Sequence, residues 1–99
     1  MAQLWAWIQS NPDFKDRTSL FITNDHGRHA EGHLTGYVGH GDDCPSCHHI
    51  QLLALGPDFK KGAVIDTHRG QIDLAATVAE ILGVKLPAGK GTVLTALFQ

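Results

Sequence analysis

Ninety-nine residues suffice for one small domain and fall well short of an eight-stranded α/β barrel or a full dinucleotide-binding fold. Apolar residues at 42% and charged residues at 18% suit a globular chain and argue against disorder. The net charge of −2 supplies no basic footprint for nucleic acid, and no apolar run approaches the roughly 18–20 residues of a membrane span.

Residues 2–10 place Leu4, Trp5 and Ile8 on one face, which predicts a short amphipathic helix stopped by Asn11-Pro12-Asp13. The opening residues, Met1-Ala2-Gln3-Leu4-Trp5, lack the basic start and long apolar stretch of an export signal. Residues 19–23, Ser-Leu-Phe-Ile-Thr, read as a strand buried on both faces, as in a parallel sheet. From 24 to 49 there is neither helical nor strand period, and glycine recurs. Loops beyond about 12–15 residues are usually functional or disordered, and this one is rich in potential ligands, which favours function. Ile50 to Leu55 is a second strand candidate, stopped by Gly56-Pro57, and residues 63–65 read as a short edge segment. Apolar residues at 72, 75, 76, 78, 79 and 82 followed by Gly83 predict a helix over 72–82. Leu86 to Gly89 reads as a turn and 93–98 as a last short helix. The order α-β-loop-β-α is that of an α/β sheet.

Six of the seven histidines lie between positions 26 and 49, together with both cysteines. Histidine is the commonest metal ligand and the side chain that titrates nearest neutral pH, so this density calls for a chemical explanation. The first strand runs directly into Asn24-Asp25-His26-Gly27. In open α/β sheets, ligand sites gather at the carboxyl ends of strands. A carboxylate and an imidazole side by side there suit zinc, manganese or a similar ion; an Asx-type turn beside a surface histidine suits the tripeptide equally well.

Residues 18–28, Thr-Ser-Leu-Phe-Ile-Thr-Asn-Asp-His-Gly-Arg, resemble the metal-binding strand of the alkaline phosphatase superfamily, which includes phosphatases, sulfatases and phosphodiesterases. Three further pieces match in order: a loop with another histidine, Leu52 to Pro57 as an apolar strand ending in Gly-Pro, and Asp73-x-x-x-Thr77-x-x-x-x-Leu82-Gly83. Asp-His-Gly-Arg followed by a loop His-Gly is most similar to the sulfatase-like branch. The resemblance implies an α/β fold in which this chain is part of a mainly parallel sheet with flanking helices. Residues 1–99 then form a single partial domain, the C-terminal portion of a catalytic domain.

The resemblance also implies a site. Asp25 and His26 match the pair that binds one metal, and His40, in Gly39-His40-Gly41, matches the loop histidine that binds the other; His48 and His49 compete for that place. Arg28 suits either an oxyanion contact or a surface ion pair, and His29 and His33 read as surface loop histidines or substrate contacts. The implied cofactor is a divalent metal (zinc, manganese or calcium). The implied substrate of the full-length protein is a phosphate or sulfate ester, and the implied location periplasmic or extracellular. The nucleophile of such enzymes, with its neighbouring aspartate and an Asp-x-x-x-His metal pair, lies upstream in the family and has no counterpart here, so the chain alone is expected to be inactive.

Cys44-Pro45-Ser46-Cys47-His48 admits other readings. Haem attachment through C-x-x-C-H has little room before the strand at Ile50 and, with Met1 the only methionine, needs another histidine as its distal ligand. The sulfatase formylglycine motif differs in spacing and lacks its arginine. A local staple, either disulfide or a thiol pair, is the plain reading. The rival functional reading is a small non-catalytic zinc-binding module, built from Cys44, Cys47 and loop histidines such as His40, His48 or His49.

Overall fold

A computed structural model describes all residues, 1–99, which group into two compact units, Met1–Pro57 and Asp58–Gln99. In the first unit, α1 spans Ala2–Ser10 and buries Ile8. Its end is fixed locally: the Ser10 hydroxyl donates to Trp7 O at 2.8 Å, and Asn11 Oδ1 accepts from the Asp13 amide at 3.0 Å, an Asx turn that diverts the chain. Two strands follow, β1 at Leu20–Thr23 and β2 at Leu52–Leu55. They pair antiparallel in the register Leu20↔Leu55 to Thr23↔Leu52.

This pair is the whole of the sheet, and no parallel pairing is present. One two-stranded pair decides neither the order nor the direction of further strands. What the pairing does fix is the loop. The end of β1 and the start of β2 face each other, so residues 24–51 form a closed excursion. Asn24 clamps its neck, with Oδ1 accepting from the Gln51 amide at 2.8 Å and Nδ2 donating to His26 O at 2.9 Å. Within the loop, regular structure is limited to a 3₁₀ turn at Gly36–Val38.

In the second unit, α2 spans Gln71–Leu82 and stops at Gly83, whose φ of 65° is the left-handed conformation glycine adopts without strain. The expected edge segment at 63–65 forms no strand, and Val64 is almost fully exposed. The last expected helix shrinks to a 3₁₀ turn at Thr95–Leu97, because its flanks are drawn off elsewhere. Phe98 bridges to Phe59, and the Leu94 amide donates to a side chain of α2.

That side chain is Thr77, fully buried. Its hydroxyl donates to Asp73 O at 2.7 Å and accepts from the Leu94 amide at 2.9 Å. Asp73, one turn earlier, accepts from the Gly70 amide at 2.9 Å and from the Thr92 amide at 2.8 Å. The Asp-x-x-x-Thr spacing thus puts two acceptors on one face of α2, where they secure the extended segment 91–94. The Gly70 amide first, then that of Thr92, holds the Asp73 carboxyl below its ordinary value. A lowered folded-state pKa gives stability that is present above the unfolded value of about 4 and lost as pH falls through the folded one. Thermal melts taken from neutral to acidic pH should therefore show wild type losing its margin over Asp73→Asn on the acid side. An unchanged margin would assign no such role to the carboxylate.

Candidate metal centres in the loop

The β1 end sets Asp25 and His26 at the neck of the loop. The His26 amide donates to Asp25 Oδ1 at 2.9 Å, and that bond leads the causes holding the Asp25 carboxyl below its ordinary value. His26 Nδ1 lies 2.7 Å from Gly27 O. A carbonyl only accepts, so Nδ1 carries a proton in this contact and Nε2 is the ring nitrogen left to meet Asp25 or a metal. Nε2 sits 3.3 Å from Asp25 Oδ2. A nitrogen and a carboxylate oxygen at that separation suit a shared cation, and a backbone bond at Nδ1 is the usual means of orienting a ligating imidazole.

The His40 ring stacks on the His26 ring, with centroids 3.9 Å apart. The structure therefore brings together Asp25, His26 and His40. His48 pairs instead with Asp43 at 2.9 Å in solvent, and the His49 side chain is exposed. Arg28 binds no acidic partner; its guanidinium donates to Val38 O at 3.0 Å and braces the loop.

A second cluster lies deeper. One ligand atom from each of His29, Asp42, Cys44 and Cys47 falls within 4.8 Å of all the others. Asp25, His26 and His40 do not converge as a set in this way. His29, expected at the surface, is only 6% exposed, because its backbone bonds to Gly39 and its ring stacks on His33. Its amide donates to Gly39 O at 3.0 Å, its Nδ1 meets Thr35 Oγ1, and its face stacks on His33 at 3.6 Å. Nε2 is buried without a hydrogen bond, although Asp42 Oδ2 stands 3.1 Å away, off the N–H direction.

Cys44 and Cys47 are free thiols, Cys47 buried and Cys44 half-buried. They sit on one tight turn, in which the Cys47 amide approaches both Cys44 O at 2.9 Å and Cys44 Sγ at 3.3 Å. Asp42 Oδ1 accepts from the Cys44 amide at 3.1 Å and lies 3.6 Å from Cys47 Sγ. Hydrogen bonding from Cys44 holds the Asp42 carboxyl down to about 2, and burial pushes the Cys47 thiol up to about 11. Gly27 crosses directly over this turn, its amide donating to Cys47 O at 2.8 Å, so the two clusters are tied by backbone.

The cysteine spacing announced half of this second cluster. The other half, His29 and Asp42, carries no recognisable spacing to the first. The only available signal for His29 was the density of histidines itself.

Over 71 residues, 72% of its length, the chain is 38% identical to Arylsulfatase K of Xenopus laevis. It spans only 13% of that protein's length. No protein-family model matches the chain, and no solved structure does. No helix is long and apolar enough to cross a membrane. In sequence, this chain is similar to part of a sulfatase.

Proposed function

We propose that the chain is the C-terminal, metal-binding portion of a periplasmic or extracellular hydrolase of sulfate or phosphate esters. Asp25 and His26 hold one divalent metal (zinc, manganese or calcium) and His40 contributes to a second. The observation that carries this reading is the position of His26 Nε2 beside Asp25 Oδ2 at 3.3 Å, just beyond the end of β1, with the His40 ring stacked on His26. The sequence similarity to an arylsulfatase supports it. Ligands shared between two ions need not converge on one point, in keeping with His40 stacking beside His26 without closing a shell around it. Bound there, a divalent metal supplies Lewis-acid polarisation of the ester oxygens. The chain's own part is to hold the ligands: Gly27 O fixes the His26 ring, the His26 amide fixes the Asp25 carboxylate, and Asn24 closes the loop.

In this reading β1 and β2 belong to a mainly parallel sheet whose other strands lie elsewhere in the protein. Support comes from β2, where the successive residues Leu52 and Leu53 point to opposite faces and both remain exposed, at 37% and 48%. An isolated two-stranded pair is marginal in water, and strands apolar on both faces suit the middle of a larger sheet.

Turnover of p-nitrophenyl sulfate and p-nitrophenyl phosphate by the full-length protein carrying this chain tests the reading. Asp25→Asn and His40→Ala are each expected to lower kcat/KM by about a hundred-fold or more, since metal polarisation contributes several kcal/mol. Wild-type turnover in both variants would sink the assignment of these residues. The cysteine cluster does not compete with this reading, because it uses none of the same side chains.

A further inference from the structure

We propose that His29, Asp42, Cys44 and Cys47 form a structural zinc site that is separate from the Asp25–His26–His40 centre and does not depend on the hydrolase reading. The ligand set is two sulfurs, one imidazole nitrogen and one carboxylate oxygen, all within 4.8 Å of one another. Tetrahedral zinc, with bonds of about 2.0–2.3 Å, places its donors about 3.6 Å apart, so a contraction of about an ångström closes the shell. Two soft sulfurs select zinc over calcium or magnesium.

Three features point to an ion and not to a plain thiol pair. His29 Nε2 is buried beside Asp42 Oδ2, 3.1 Å away, and makes no hydrogen bond to it. A buried polar atom left so is destabilising, and a metal bond removes that penalty. Thr35 Oγ1 occupies the opposite ring nitrogen, Nδ1, the outer contact that directs the other nitrogen of an imidazole to a metal. The Cys47 amide, finally, approaches Cys44 Sγ at 3.3 Å, where it stabilises a thiolate at that sulfur.

Binding converts both thiols to thiolates and releases their two protons to solvent. Together with the Asp42 carboxylate, they leave the site with one net negative charge around a divalent ion. No oxidant or reductant enters the step. The site joins residue 29, just beyond β1, to residues 42–47, just before β2. The segment bearing His40 is thereby held at both ends.

Cobalt in place of zinc provides the readout, since thiolate-to-cobalt charge transfer absorbs where carboxylate and imidazole ligands do not. The reduced full chain is expected to bind one cobalt with this absorption, and His40→Ala to retain it in full. Cys44→His should keep the metal with about half the absorption, because one sulfur remains. Cys47→Ser should weaken binding by about a hundred-fold or more. Zinc should also slow alkylation of the wild-type thiols by about ten-fold or more, and a chelator should restore it; this arm needs no variant. Cobalt bound without thiolate absorption, or alkylation indifferent to zinc, overturns the proposal. Thiolate absorption that survives in Cys47→Ser and vanishes in His40→Ala overturns it as well.

Discussion

Gly27→Ala is expected to destabilise the Met1–Pro57 unit by about 3 kcal/mol, the upper part of the usual range for overpacking. A β-carbon on Gly27 would lie 1.8 Å from Ser46 O and 3.0 Å from His49 O. Both obstacles are backbone, so no side chain can swing aside. Relief requires the turn carrying Ser46 and Cys47 to move away, and the bond from the Gly27 amide to Cys47 O goes with it. The damage should therefore appear twice in the same variant, as a lower urea midpoint and as weaker cobalt binding at Cys47. A variant with wild-type values for both would mean that the crossing is looser than the structure has it.

Gly91→Ala should cost the Asp58–Gln99 unit about as much, again about 3 kcal/mol. Its β-carbon would meet Ile72 O at 2.0 Å and the Asp73 amide at 2.9 Å, the backbone of the first turn of α2. Segment 91–94 would lift from the helix, and the Leu94 amide would lose the Thr77 hydroxyl that protects it. Hydrogen exchange at Leu94 reads that loss directly, and a denaturant melt reads the energy. Gly70→Ala is the control: its nearest obstacle is Ile72 Cγ1 at 3.8 Å, an ordinary contact. As a change at a helix N-cap, it should cost about 1 kcal/mol or less. Equal losses in the two variants would show that crowding at Gly91 is not the cause.

Local signals were legible in the sequence. The apolar spacing of 72–82 with Gly83 locates α2 to within one residue, and the apolar run after Ser19 locates β1. The direction of strand pairing was not legible, because a four-residue apolar run looks the same beside a parallel or an antiparallel neighbour. The same limit governs the sites. Asp25 and His26 are adjacent in sequence, and the two cysteines share one turn, so each pair is visible as text. His29 lies among Arg28, Ala30 and Glu31, a context that reads as surface, and only the fold of the loop buries it. Asp73 and Thr77 carry a recognisable spacing, but their partners at 92 and 94 are set by tertiary packing and leave no periodic trace.

The neck formed by Asn24 and Gln51 also bears on how the first unit folds. These residues are 27 apart in sequence, and closing such a loop costs about 3 kcal/mol of chain entropy before β1 and β2 return anything. The turn at Cys44–Cys47 closes over three residues and forms on a far shorter timescale. Once the inner turn is closed, the gap that strand pairing must bridge is shorter. The ligand-bearing segment thus lowers the entropic cost of joining the two apolar strands.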